Sequence, residues 1–231
     1  MSRRVRGLAA SVALSFGAVA LSVLMVTPAN AAVEPAAEAS TTVQISQVAT
    51  QGPGGTLDEF IELQNVQSSS LDISGYTLWA CSSTGQQQLL ATIPAGTILG
   101  GTTPEPGMEA GRYLLLANVN YTRAVPPDVT YTGDVQRLGG VMLRGAPTST
   151  NPTGVRIDAV GFSRFLPCTE TLPAQPQSAA FVDQSSIRFG TVDTNNNAID
   201  FTLITPAFPR NSTFTSPSPF PTESFHSVRV Q

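Results

Sequence analysis

What most limits the folds open to this chain is the pattern of its apolar runs. Beyond residue 31, none holds a helical period over the roughly 12 residues that a stable helix needs, and nearly all have strand length. Val43-Gln44-Ile45 alternates, and Glu59-Phe60-Ile61-Glu62-Leu63-Gln64 sets Ile61 and Leu63 on one face with Glu62 and Gln64 on the other. Tyr76-Thr77-Leu78-Trp79-Ala80-Cys81 is bulky on both faces, as a central strand is, and Arg112–Ala117 is almost continuously apolar. Val141–Leu143, Val155–Val160, Ser186–Phe189 and Phe201–Ile204 continue the series. Turn clusters separate these runs, among them Gln51–Gly55, Asp72–Gly75, Pro94–Gly96, Gly139–Gly140 and Thr191–Asn197. Many short strands with frequent turns predict an all-β sandwich in preference to a βαβ fold. Three stretches exceed ordinary hairpin loops: Gly100–Ala110, Val119–Arg137 and Ser163–Gln184. Loops of that length pack on themselves or carry function, so a binding surface is expected there.

The ends read differently. Residues 1–31 have the form of a secretory signal peptide: Arg3, Arg4 and Arg6, then an uncharged stretch from Leu8 to Val26, then Ala29-Asn30-Ala31 as a cleavage site. The apolar stretch is long enough to span a bilayer, so an uncleaved anchor is the alternative, and no later segment could span one. Residues 32–40 are an Ala/Glu/Pro-rich flexible lead-in. Residues 211–231 are a Pro/Ser/Thr-rich tail (Ser216-Pro217-Ser218-Pro219-Phe220-Pro221), expected to be disordered because proline withholds backbone donors. The folded domain is therefore expected over 41–210. Signal removal takes three of the 12 basic residues and none of the 16 acidic ones, so the exported chain is more acidic than the net charge of −4 of the whole. That disfavours nucleic acid and anionic membranes as partners.

In order along residues 41–211, Asp58-Glu59-Phe60-Ile61-Glu62-Leu63-Gln64-Asn65, Leu71-Asp72-Ile73-Ser74-Gly75-Tyr76-Thr77-Leu78, Ile93-Pro94-Ala95-Gly96-Thr97 and Tyr113-Leu114-Leu115-Leu116-Ala117-Asn118 follow one another. Gly140–Leu143, Ile157–Phe162, Ser186-Ile187-Arg188, Asp193–Phe201 and Pro206–Pro209 complete the series. This succession resembles the lamin tail domain in its bacterial secreted form. The resemblance implies an immunoglobulin-like β-sandwich with interaction roles and no activity of its own, and it places Arg188 inside a late strand. Arg188 and Trp79 are expected to pair or pack within the sandwich.

The chemistry-bearing residues point the same way. All the basic residues are Arg, so lysine nucleophiles and a P-loop are excluded, and the single His, His226, stands in the tail, away from any scaffold that could hold a base. Cys81 and Cys168 are the only cysteines; in an exported chain they are expected to form a disulfide closing a loop of 87 residues. Asp193-x-Asn195-x-Asn197 has the first spaced oxygens of a calcium loop, but Ala198 and Ile204 stand where an EF-hand needs Gly and Glu. Asx turns are the expectation there, with Asp200 leaving room for a weak calcium site. Asp58, Glu59 and Glu62 form the densest acidic cluster and read as a solvated edge.

The function expected is that of a secreted, non-catalytic binding module without cofactor. Its partner is an extracellular or cell-envelope protein or glycan, and Tyr121, Tyr131 and Phe165 are the candidate contacts. The alternatives are a hydrolase that works with carboxylates alone, which would need two of them converging in a groove, and a structural envelope component.

Overall fold

In a computed structural model, residues 39–102 and 111–215 are described. Residues 1–31, where a signal peptide is expected, most of the expected lead-in, the tail beyond Thr215 with His226, and most of the Gly100–Ala110 loop lie outside them.

The chain is an all-β sandwich. One sheet has six strands, ordered β12 (Phe201–Ile204), β11 (Ser185–Arg188), β1 (Val43–Ala49), β2 (Phe60–Asn65), β7 (Tyr113–Asn118) and β8 (Val129–Tyr131). The other has four, ordered β10 (Arg156–Gly161), β9 (Gly140–Arg144), β4 (Thr77–Cys81) and β5 (Gln87–Thr92). A short ribbon pairs β3 (Leu71–Asp72) with β6 (Ile98–Leu99). All pairings in the two main sheets are antiparallel except β7 with β8.

Alternation builds the core between the sheets. Val43, Ile45, Ile61, Leu63, Leu114 and Leu116 from one sheet meet Leu78, Ala80, Val141, Leu143 and Val160 from the other, all buried. The polar side of the six-stranded sheet is where the sequence misleads. β1, β2 and β7 are buried on both faces. A second apolar layer of Ala49, Phe60, Leu115 and Ala117 lies on that side, covered by Tyr121, Val125 and Ala207. The cover comes from the loop after β7 and from the segment after β12.

That second segment moves the end of the domain beyond 210. Asn211 is buried, its amide donates to the Pro126 carbonyl at 2.9 Å, and Phe214 sits edge-on to Tyr113 with ring centroids 5.6 Å apart. Arg210 lies over the Tyr113 ring, 4.0 Å from its centroid. Residues 211–215 are therefore part of the fold. At the other end Ser40 is buried too, its N–H donating to Asp193 at 2.6 Å.

The outer side of the four-stranded sheet is closed differently. Cys81, Met142, Ala159 and Cys168 cluster there beside Trp79, and a disulfide joins Cys81 to Cys168 with Cα atoms 6.1 Å apart. Trp79 packs as expected, its indole N–H donating to the Thr77 hydroxyl at 3.0 Å. Glycine is needed where this layer is tightest: a Cβ on Gly161 would stand 2.0 Å from the Thr169 hydroxyl oxygen and 2.8 Å from its Cα.

Candidate functional site

Three places concentrate polar chemistry or exposed aromatic surface. The first is Arg188, near the edge of the six-stranded sheet. β1 carries a bulge at Ile45–Gln47 and pairs with β11 only at Gln47 and Val48, so the outward backbone groups of Ile45 have no ladder partner. Arg188 and Asp158 supply one: Arg188 Nε donates to the Ile45 carbonyl at 3.0 Å, and the Ile45 N–H donates to Asp158 Oδ2 at 2.6 Å. The guanidinium also forks onto both oxygens of Asp158 at 2.9 Å, reaches Asp200 at 2.9 Å and Asp193 at 3.4 Å, and lies over the Phe201 ring. Arg188 thus pairs inside the sandwich, as the sequence predicts.

Asp158, Glu170 and Asp193 bring carboxylate oxygens within 4.8 Å of one another. Each of these oxygens already accepts a hydrogen bond. Asp158 has Arg188, Ile45 and Ala159 as donors, Asp193 has Ser40 and Asn195, and Glu170 has Arg156 and Asn197. The spaced Asn residues serve turns and packing. The Asn195 N–H closes an Asx turn on Asp193, Asn196 caps the single helical turn α1 (Asn197–Asp200), and Asn197 Oδ1 accepts from Gly161 and Glu170. Burial pushes Glu170 up to about 8, with Asp158 and Asp193 adding to it and Arg156 opposing. Burial also raises Asp158, to about 6, against its donors.

The second place is a groove of mixed polar and apolar lining, with lobes of 430 and 110 Å³ that share Asp134 and Gln136. Thr50, Gln51, Thr56, Leu57 and Arg137 line the larger lobe; Ala80, Ser82 and Gln86–Gln88 line the smaller. Beneath it lies Glu59, fully buried, which accepts from the Val135 N–H at 2.9 Å and from the Tyr131 hydroxyl at 3.2 Å. Burial raises the Glu59 carboxyl to about 9, and the neighbouring Asp134 adds to the shift. Only Asp134 of the two faces solvent.

The third is the tip of the loop after β10. Phe165 is 97% exposed with φ 65°, a left-handed conformation that a bulky residue seldom takes, and Arg164 beside it is exposed. The loop under them is held firmly. Leu166 is buried, Thr169 bonds back to the Ser163 and Leu166 carbonyls at 2.6 and 3.0 Å, Arg156 donates to the Pro167 carbonyl at 3.0 Å, and Cys168 is in the disulfide.

These findings sort the expected contacts. Phe165 is displayed. Tyr131 is buried with its hydroxyl on Glu59, so it is a core residue of the β8 edge and not a surface contact. Tyr121 is partly covered, edge-on to Phe60 at 6.1 Å and under Arg123, and belongs to the lid on the six-stranded sheet. The acidic cluster is not a solvated edge: Asp58, Glu59 and Glu62 are all buried, because loops remote in sequence cover them. Asp58 accepts from Gly54, Thr122 and Arg123; burial works to raise it, but these donors outweigh burial and hold it below the usual range. Glu62 takes Arg210 bidentately, with the Arg210 backbone N–H at 2.6 Å. Asp134, Gln136 and Arg164 carry no motif; the Gln86-Gln87-Gln88 run is the one signal of the groove in the sequence.

No protein-family model matches the chain, and no curated protein sequence aligns with it significantly.

Proposed function

We propose that the chain is a secreted, non-catalytic binding module with an immunoglobulin-like, lamin-tail-like sandwich, acting at the cell envelope or outside the cell. Support for export comes from the form of residues 1–31 and from the disulfide; among the described residues no helix is long and apolar enough to cross a membrane. The observation that carries the binding reading is Phe165. An aromatic ring left almost wholly in water, in an unfavourable backbone conformation and on a loop braced from four directions, gains nothing for the fold and is preorganised for a partner. Arg and aromatic residues dominate the binding energy of protein interfaces, so an Arg164–Phe165 tip suits an extracellular or cell-envelope protein.

The test is a binding panel of cell-wall preparations, envelope proteins and glycans with the exported protein and its Phe165→Ala and Arg164→Ala variants. Phe165→Ala is expected to weaken capture by about 10- to 30-fold while leaving the melting temperature unchanged or raised. Hydrolysis of a glycan or ester that Asp134→Asn abolishes in a folded protein would replace this reading with the carboxylate hydrolase.

A further inference from the structure

The outermost strand of the larger sheet, β12, pairs on one side only, with β11. In an antiparallel pair, residues that exchange both backbone bonds with the opposite strand alternate with residues whose N–H and C=O point away from it. The Phe189 N–H donates to the Asp200 carbonyl at 2.7 Å, and this sets the phase. Continued along the register, Thr202 and Ile204 bond to β11, while Phe201 and Leu203 turn their backbone groups to the open edge. The Phe201 N–H is taken by the Asn197 carbonyl. The Phe201 carbonyl, both backbone groups of Leu203 and the Thr205 N–H have no protein partner among the described residues. By contrast β10, an edge of the smaller sheet, has such groups occupied. Asn197 donates to the Ala159 carbonyl at 2.9 Å and accepts from the Gly161 N–H at 3.0 Å, and the Gly161 carbonyl accepts from the Ala174 N–H at 2.9 Å.

We infer that β12 is a pairing edge for a second copy of this chain, joined antiparallel about a twofold axis at Leu203. In that register the N–H and C=O of Leu203 exchange bonds with the same groups of the copy, and each Phe201 carbonyl meets the other copy's Thr205 N–H. Every outward group of the strand is then satisfied.

The side chains favour a copy over an unrelated strand. A twofold pair sets Leu203 against Leu203, Thr202 against Ile204 and Phe201 against Thr205, so any charge in the strand would stand near its own duplicate and repel it. Residues 201–205 carry none, and they also lack the lysine, proline or bulge that commonly guards an edge. The adjacent Asp200 is turned inward onto Arg188. Phe201 belongs to the core between the sheets. Leu203, two residues on and on the same face, is only half-buried, because nothing among the described residues covers its outer side. The copy's Leu203 would supply that cover and continue the core across the axis. Ile199, at the head of the strand, is 67% exposed and adds apolar surface at each end of the pair. The strand is short, so the interface falls in the small, weak class, with a Kd on the order of 10–100 µM.

The inference does not depend on the Phe165 reading. Its test is sedimentation equilibrium of the exported protein from about 5 to about 500 µM, with amide exchange followed by NMR at both ends of that range. A monomer–dimer equilibrium is expected. Exchange at the Leu203 and Thr205 N–H groups should slow as concentration rises, while that at Thr202, already bonded to β11, should not change. Thr202 is exposed, so Thr202→Lys keeps the fold, which an unchanged melting temperature at low concentration would verify. It places two ammonium groups near the axis and should raise the dimer Kd at least tenfold, while Phe165→Ala should leave it unchanged. A monomer at every concentration overturns the inference, as does a dimer that is indifferent to Thr202→Lys or lost in Phe165→Ala. Slow exchange at Leu203 in the dilute monomer would show the edge covered by its own chain, and would overturn it too. A monomer whose capture of an envelope protein is weakened by Thr202→Lys would give the edge to a partner's strand instead of a copy.

Discussion

Arg188 does two jobs that no other side chain could combine: it completes the hydrogen bonding of a bulged strand, and it neutralises buried acids. Its replacement should show which dominates. Arg188→Met keeps the volume but leaves Asp158, Asp193 and Asp200 uncompensated, and should cost about 3–5 kcal/mol in urea unfolding. Arg188→Lys keeps the charge but loses the fork that spans Asp158 and the Ile45 carbonyl, and should recover less than half of that. Recovery of most of the loss by Lys would mean that charge alone matters there. The sequence points to Arg188 only as an arginine in a strand; its partners come from Asp158, Asp193 and Asp200, which no local pattern relates to it.

Elements were legible in the sequence in proportion to how local their cause is. β2, β4, β7, β9, β10, β11 and β12 coincide with apolar runs and turns that can be read in place. β5 could not be: Gln87-Gln88-Leu89 is exposed at a sheet edge, where little burial shapes the sequence. β8 is three residues long and takes its place from Glu59 and β7. The polar positions of β2 read as solvent-facing because their cover, residues 119–128 and 206–214, is far away in the chain. For the same reason the Asp134 groove was not legible, being assembled from three loops. The disulfide was legible because count and compartment decide it. It braces the 163–168 segment on the four-stranded sheet, and its loss should cost up to about 4–5 kcal/mol by the loop-entropy argument. Urea unfolding of a Cys81→Ala/Cys168→Ala double variant measures this, and the variant should also lose the order of the Phe165 tip. An unchanged midpoint would show that packing alone holds that segment.

The buried carboxyls give the domain an uncommon response to pH. Glu59 at about 9 and Glu170 at about 8 are both raised above the 4.5 of an unfolded Glu, so between those values the folded state holds protons that the unfolded state has released. Their contribution to stability is complete below pH 4.5 and is lost as pH rises through 8 and 9. The melting temperature should therefore decline from pH 5 to 9, and Glu170→Gln, which fixes the neutral form, should flatten the slope. A melting temperature that climbs over that range would show these groups to be ionised in the fold.

The position of β1 has a consequence for how the molecule comes into being. Among the described residues it is the first strand made, yet it sits in the middle of its sheet, between β2 nearby and β11, whose partner residues Gln47 and Ile187 are 140 positions apart. Until Arg188 and Asp193 have been synthesised, the Ile45 carbonyl and the Ser40 N–H have no partners, and the Arg210 clamp on Glu62 closes later still. A ribosome delivering this chain from the N-terminus thus leaves one side of β1 open until β11 has been made, while β1 with β2 and β4 with β5 have their partners early. The centre of the larger sheet is therefore completed from the far end of the fold, and the stretch from Arg188 to Arg210 is what locks strands made about 140 residues earlier.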